Sequence, residues 1–311
     1  MILDASAFEG RTVLVTGATG FVGRHLCRAL ISRGARVTGV ARSWPDRPEG
    51  GLEGVEGLEV DLTQRVACDE LVASVEPELV FHLAGWVKGA RDADLVLPAL
   101  EGNLLGTVHL LSALERTGCR RFVQAGSLEE PTLGEGEAPS SPYAASKAAA
   151  TAYCLLFREL YGLPVTLARI FMVYGPGPQD ENKLVPYVTL EQLRGRAPQL
   201  SSGTRLVDWI YVEDVAEGLL HMALAEGIEG RQIDLGTGEL HSVAHVAQTL
   251  AALVGGTAPQ LGARADRALE QVRRADVAAT RAALDWAPPT SLEEGLRHTV
   301  DWFSARERST S

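Results

Sequence analysis

Thr16-Gly17-Ala18-Thr19-Gly20-Phe21-Val22-Gly23 follows the β-branched run Arg11-Thr-Val-Leu-Val and opens the apolar-striped segment Arg24-His-Leu-Cys-Arg-Ala-Leu-Ile31. The first run reads as a buried strand and the last as the start of a helix. Glycines three apart between a strand and a helix make a cradle for phosphate, because the helix start offers free backbone N–H groups. Gly17 supplies the turn, Gly20 lets a pyrophosphate approach the backbone, and Gly23 lets the helix pack tightly on the sheet. With Thr19, Phe21 and Val22 these glycines are the first candidate cofactor contacts.

Outward from this unit, strand and helix alternate. Strands are expected at 36–41, 58–61, 78–84, 121–125 and 165–170, and helices at 97–117 and 143–161. Leu100, Leu104, Val108 and Leu111 form the apolar stripe of the first of those helices. The rhythm predicts an α/β fold, a doubly wound parallel sheet of the Rossmann type. It should occupy 1–174 plus roughly 205–240, where Ile233-Asp-Leu-Gly236 returns to the sheet. A smaller, discontinuous C-terminal substrate lobe should take roughly 175–204 and 241–311.

Tyr143-Ala-Ala-Ser-Lys147 puts a phenol and an ammonium on one face of the second helix, one turn apart. A neighbouring ammonium favours phenolate, so Lys147 is expected to lower the pKa of Tyr143 and make it usable for proton transfer near neutrality. Ser127, at the carboxyl edge of the expected 121–125 strand, is placed to stabilise a developing alkoxide. Hydride transfer to or from a carbinol carbon needs these parts, since its oxygen must gain or lose a proton in step.

Composition narrows the partners. Of 311 residues 46% are hydrophobic and 22% charged, ordinary for a globular enzyme. A formal charge of −11 with no basic stretch to offset it argues against nucleic acid. Cys27, Cys68, Cys119 and Cys154 have neither paired nor metal-ligand spacing, so they read as reduced structural thiols, and no metal site is expected. Met1-Ile-Leu-Asp4 lacks a signal-peptide pattern and no apolar run approaches ~18 residues. The expectation is a cytoplasmic protein with no membrane partner.

Thr16-Gly-x-x-Gly-x-x-Gly23, Asp61-Leu62, His82-Leu-Ala-Gly85, Asn103-x-x-Gly-Thr107, Ser127, Tyr143-x-x-x-Lys147, Arg169 before Tyr174-Gly-Pro176, Asp208-Trp-Ile-Tyr-Val-x-Asp214 and Leu292-Glu-Glu-Gly295 occur in this order. In them the chain resembles the extended short-chain dehydrogenase/reductases, specifically the nucleotide-sugar epimerase/dehydratase family, along nearly its whole length. The resemblance implies that Tyr143 is the acid/base and that Lys147 holds the nicotinamide ribose. It implies that Ser127 bonds the reacting sugar oxygen, that Asp61 and Leu62 contact adenine, that Leu83, Ala84 and Gly85 line the cofactor, and that Asn103 steadies the central strands. It also implies a homodimer joined by a four-helix bundle from 97–117 and 143–161, for which Ala144, Ala148, Ala152 and Leu155 form a small-residue stripe.

Val37-Thr-Gly-Val-Ala-Arg42-Ser43 has no acid where one would select the 2′-hydroxyl of NAD. Arg42, with Ser43 as a second donor, suits a 2′-phosphate instead, so NADP(H) is expected ahead of NAD. Family members reduce 4-keto sugars, epimerise or dehydrate. Gly126-Ser-Leu-Glu-Glu130 keeps Glu129 as a catalytic candidate but has Leu128 where dehydratases carry an acid, and it looks like the Gly-Ser-Ser-Glu-Glu of bacterial GDP-4-keto-6-deoxy-sugar reductases. The order of expectation is NADPH-dependent reduction of a nucleoside-diphosphate 4-keto-6-deoxy sugar, then epimerase, then 4,6-dehydratase, and last a non-catalytic dinucleotide sensor. A substrate diphosphate needs local cations on so acidic a protein. Val207 stands where the family has an arginine, so Arg205, one strand period away, and Arg267 are the candidate grips, with Lys88 a further substrate contact.

Overall fold

The computed structural model describes all residues except 1, 2, 5, 46–49, 51, 132–135, 267–270 and 311. Its strands are β1 (Thr12–Thr16), β2 (Arg36–Ala41), β3 (Glu56–Glu59), β4 (Leu79–His82), β5 (Arg121–Ser127), β6 (Val165–Ile170), β7 (Met172–Tyr174), β8 (Leu206–Tyr211), β9 (Gln232–Leu235) and β10 (Leu240–Ser242). The helices are α1 (Phe21–Ile31), α2 (Arg65–Val75), α3 (Val96–Leu100), α4 (Gly106–Thr117), α5 (Pro142–Tyr161), α6 (Leu184–Leu193), α7 (Val212–Leu224), α8 (Val243–Val254), α9 (Val277–Leu284) and α10 (Leu292–Thr310). The chain divides into two compact units, 1–170 with 216–234 and 278–286, and 171–215 with 235–277 and 287–311.

The first unit is the doubly wound sheet, in the order β3-β2-β1-β4-β5-β6-β9, with every neighbouring pair from β3 to β6 parallel. Its inner strands β1, β4 and β5 are almost wholly buried, as in a parallel sheet covered on both faces, whereas the edge strand β3 is polar and partly exposed. Leu14, Val80, Phe122, Val165 and Leu167 meet Leu110, Leu111, Leu114 and Phe157 in one buried cluster. Strand β3 ends two residues before Asp61, which lies beyond it in a turn.

Residues 93–117 are helical with a change of pitch. A 3-10 turn (Ala93–Leu95) leads into α3, then a π-helical turn (Glu101–Leu105), then α4. The wide turn rotates the expected apolar stripe. Leu111 is buried, but Leu100 is exposed and Leu104 and Val108 are half-buried, while Ala99, Asn103, Thr107, Leu110 and Leu114 face inward. By length and composition alone this stretch, with a mean hydropathy of 1.3, is apolar enough to cross a membrane, although Asp94, Glu101, Asn103 and His109 interrupt it so that no unbroken apolar run approaches ~18 residues. Leu110, Leu111, Ala113 and Leu114 belong to the core. Of the expected small-residue stripe of α5, Ala144 is buried, Ala148 and Leu155 are half-buried and Ala152 is exposed, on an outward face with Ala145, Tyr153, Leu156 and Leu160.

The second unit holds a three-stranded sheet, β10-β8-β7, with β7 parallel and β10 antiparallel to β8. Tyr174, Trp209 and Tyr211 from this sheet pack with Val188 of α6, Val246 and Leu250 of α8, and Leu296 and Val300 of α10. Asp208 ties the unit together, accepting hydrogen bonds from Thr237 N–H and hydroxyl, Gly238 N–H and Ala275 N–H at 2.8–2.9 Å. The boundaries differ from those expected. Residues 171–174, 205–215 and 235–240 join the second unit because β8 pairs with β7 and β10 rather than with the large sheet. Residues 278–286 join the first, where Thr280 Oγ1 donates to Asp234 O at 2.8 Å.

Candidate functional site

The glycine turn is shaped by backbone meeting backbone. Gly17 has φ +70°, and a Cβ there would lie 2.7 Å from Ala84 N and 2.8 Å from Leu83 C. A Cβ on Gly23 would fall 2.2 Å from Gly17 O and 2.8 Å from Ala18 O, so this glycine packs helix α1 against the turn itself rather than against the strands. Gly20, the N-cap of α1, would meet only Gly17 O, at 3.1 Å, and no side chain caps the helix. The first-turn N–H groups are therefore available to an anion.

Beside this turn lies a cleft of about 250 Å³, lined by Gly17, Thr19, Gly20, Arg42, Asp61, Leu62, Leu83, Ala84 and Gly85 among others. The Thr63 N–H and hydroxyl, both on Asp61 Oδ1, hold that carboxyl below its usual range, and the Arg42 charge adds to the effect. Ser43, Phe21 and Val22 do not line the cleft, although Phe21 and Val22 form the first turn of α1. Trp86, Thr63, Glu101 and Gly102 do line it and had no sequence signal of their own; Glu101 and Gly102 belong to the π turn. There a Cβ on Gly102 would come within 2.8 Å of Trp86 Cβ.

A buried polar chain sits at the carboxyl ends of β1 and β4. Thr107 Oγ1 donates its one proton to Asn103 O at 2.7 Å, so it must accept from His82 Nε2, 2.9 Å away. His82 Nδ1 is then the acceptor for Thr16 Oγ1 at 2.6 Å, while Thr16 Oγ1 accepts the Ala84 N–H at 3.2 Å. Burial, with the Lys147 charge, pushes His82 down to about 3, which keeps it neutral in this tautomer. Asn103, expected to steady central strands, instead pins the loop after β4 to α5. Its Oδ1 accepts Trp86 N–H at 2.8 Å, and its Nδ2 donates to Trp86 O and to Ser146 Oγ at 3.0 and 2.9 Å.

The third group is the corner between β5 and α5. Ser141 caps α5, accepting the Ala144 N–H at 3.1 Å, and Pro142 occupies the first turn. Ser127, Tyr143 and Lys147 are 8%, 8% and 4% exposed, so all three are embedded. Lys147 Nζ donates to Ala125 O at 2.8 Å and lies beside Gly85, where a Cβ would be 3.3 Å from it. Burial raises the pKa of Tyr143, and the Glu129 and Glu130 charges add to this, while a hydrogen bond with Ser127 works the other way. The pKa of Tyr143 is thus raised where the four-residue spacing led to the expectation of a lowered one, and the Lys147 charge is not among the causes of the shift. Burial likewise lowers the pKa of Lys147. Glu129 is half-buried, its N–H on Ser127 Oγ at 3.2 Å.

Lys88 is exposed, its Nζ 5.5 Å from the centre of the Trp86 ring. Arg205 is half-buried just before β8 in the second unit, and Arg267 lies outside the described residues. Arg264, in the second unit, rests on Tyr187 and donates to its hydroxyl at 3.2 Å. Among the described residues no group of three or more His, Cys, Asp or Glu side chains is arranged to hold a metal.

Residues 13–236 match the model of the NAD dependent epimerase/dehydratase family. The chain is 31% identical to a UDP-glucose 4-epimerase of Mycolicibacterium smegmatis over 308 residues, covering 93% of this chain and 97% of that protein. It is 30% identical to a dTDP-glucose 4,6-dehydratase of Neisseria meningitidis over 332 residues, covering 94% and 93%. Among solved structures, the UDP-glucose 4-epimerase of Thermus thermophilus in complex with NAD superposes with a TM-score of 0.82 at 29% identity, covering 94% of this chain and 98% of that one. A glycine turn at a helix start, a serine–tyrosine–lysine corner and these matches make the chain a member of the NAD-dependent epimerase/dehydratase family, an enzyme of the extended short-chain dehydrogenase/reductase type that modifies nucleotide sugars.

Proposed function

We propose that this enzyme transfers a hydride at C4 of a nucleotide-linked hexose, working with NADP(H) as a reductase of a nucleoside-diphosphate 4-keto-6-deoxy sugar. The observation that carries the reading is the embedded corner of Ser127, Tyr143 and Lys147 next to a cleft with Arg42 on its wall. The bare glycine turn and the free N–H groups of α1 suit a dinucleotide diphosphate. Arg42 suits a 2′-phosphate, Asp61 and Leu62 the adenine end, and Lys147, beside Gly85, the nicotinamide ribose. When bound, the nicotinamide supplies the hydride. Ser127 holds the sugar oxygen and Tyr143 gives it a proton. Burial keeps the Tyr143 phenol protonated, so it holds the proton that reduction of a keto oxygen requires. Leu128 is buried with its N–H on Ile170 O at 3.0 Å, which leaves Glu129 as the candidate for a dehydratase acid/base beside the serine.

Epimerisation at C4 is the second reading, favoured by the match to the UDP-glucose 4-epimerases and the NAD in the solved one. In either case Arg205 and Arg267 are proposed as grips for the substrate diphosphate. The reading includes a homodimer packed through the outward face of Leu97, Tyr153, Leu156 and Leu160, which flanks a groove of about 580 Å³ lined by Val96, Leu100, Leu104 and Ala145. A cytoplasmic setting is part of this reading and agrees with the four cysteines being free thiols.

The deciding experiment offers NADPH and NADH with nucleotide hexoses and their 4-keto-6-deoxy forms, following reduced-nicotinamide absorbance and product stereochemistry. Consumption of NADPH only with a keto sugar is expected. Interconversion of hexose epimers without net cofactor consumption would replace the first reading by the second.

A further inference from the structure

Glu130 is a buried carboxylate at the β5–α5 corner that neither the cofactor cleft nor the proton step uses. It is 2% exposed. Its Oε1 accepts the Ser127 N–H at 2.6 Å and its Oε2 accepts the Thr151 hydroxyl at 2.7 Å. Its own N–H donates to Ser127 O at 3.1 Å, closing a tight turn on the serine. A Cβ on Gly126 would stand 2.6 Å from Oε1, so bare backbone is what lets the carboxylate lie along the strand. Tyr143, Lys147 and Thr151 follow at four-residue steps on one stripe of α5. The carboxylate thus bridges the strand end carrying the serine and the helix carrying the phenol and the ammonium.

Charge gives the bridge a second job. The Lys147 ammonium is taken out of water with a neutral carbonyl as its hydrogen-bond acceptor, which is costly without an opposite charge nearby. Of the titratable groups around it, His82 at the end of β4 is held neutral and Cys154 on α5 has its thiol pKa raised by burial. Tyr143 keeps its proton, and Glu129, half-buried on the loop, bears on Tyr143. The Glu130 carboxylate, bonded to Thr151 one helical turn along α5 from Lys147, carries the charge that most opposes the desolvation lowering the Lys147 pKa.

We propose that Glu130 is a positioning residue, which clamps the Ser127 strand end to α5 and is the buried counter-charge of the Lys147 ammonium. This rests on the hydride-transfer reading above and deepens it.

Two substitutions separate the jobs. Glu130→Gln can keep both contacts, its oxygen accepting from Ser127 and its amide donating to a reversed Thr151 hydroxyl, while the charge is lost. Thr151→Val cuts the clamp and keeps the charge, and Thr151→Ser restores the hydroxyl. NADPH and NADH affinity is measured against pH, which needs no substrate, and kcat is measured with the best substrate. Removing the carboxylate lowers the Lys147 pKa, so in Glu130→Gln the alkaline loss of cofactor affinity should begin about one pH unit lower than in wild type. Lys147→Met should abolish that alkaline limb in both backgrounds. Thr151→Val should leave the limb in place and lower kcat about fivefold or more, the order of one lost buried hydrogen bond, with Thr151→Ser restoring it. A folded Glu130→Gln whose limb coincides with wild type, or a Thr151→Val with wild-type kcat, overturns the proposal, and the Thr151 pair stands whether or not Glu130→Gln folds. A wild-type protein that binds neither dinucleotide would overturn the functional reading along with it.

Discussion

At the turn between β1 and α1, backbone rests on backbone because side chains are missing; at the corner between β5 and α5, buried polar side chains hold strand and helix together. The turn works by shape. Gly17 and Gly23 leave no room for a Cβ, while at Gly20 one would meet only Gly17 O, at 3.1 Å. The corner works by charge and proton control. Burial raises the Tyr143 pKa and lowers that of Lys147, so both are tuned by an environment assembled from β4, β5 and α5 together. A shape written in glycines is local, whereas a tuned proton donor depends on residues distant in the chain.

The largest expected effect tests the corner. Tyr143→Phe removes one transferable proton and should lower kcat by ~10²–10⁴ with NADPH affinity and melting temperature near those of wild type. Activity within a few-fold of wild type would end the role proposed for Tyr143. At the cleft wall, Arg42→Ala should weaken NADPH binding roughly ten- to a hundredfold and leave NADH almost unchanged, read by fluorescence titration. Equal losses for both cofactors would return the preference to NAD.

The turn itself is dissected by two alanines. Gly23→Ala forces a Cβ onto the Gly17 carbonyl and should cost about 1–3 kcal/mol in urea unfolding, the range for overpacking. Gly20→Ala meets that carbonyl at 3.1 Å and should destabilise far less while still weakening the dinucleotide. Equal destabilisation by the two would break the division of labour between these glycines.

The smallest effect concerns a buried acid in the second unit, where no cation is among the causes of its shift. Asp214 accepts the Thr290 N–H and hydroxyl at 3.1 and 2.9 Å, yet burial pushes it up to about 6. Its folded pKa thus exceeds the unfolded value of about 3.9. Its stabilising contribution is full below the unfolded value and is lost as pH rises through about 6. Melting temperatures across that window should fall less in Asp214→Asn than in wild type. Parallel curves would show that Thr290 satisfies the carboxylate completely.

The local grammar of this chain determined the glycine turn, the strands of the parallel sheet and the Tyr143–Lys147 face, because turn geometry and side-chain period are set by neighbours in sequence. Tertiary structure decided the rest. The strand Leu206–Tyr211 has a periodicity that suits either sheet, and only its pairing with Met172–Tyr174 and Leu240–Ser242 assigned it to the second unit. The π turn at Glu101–Leu105 moved the buried stripe of a helix that a constant pitch had misplaced, and brought Asn103 to Trp86 and Ser146. A spacing of four residues placed Lys147 beside Tyr143 but said nothing about water. Removing water raised the phenol pKa that proximity alone was expected to lower, since desolvation is a property of everything packed around a group and not of its neighbour in the chain.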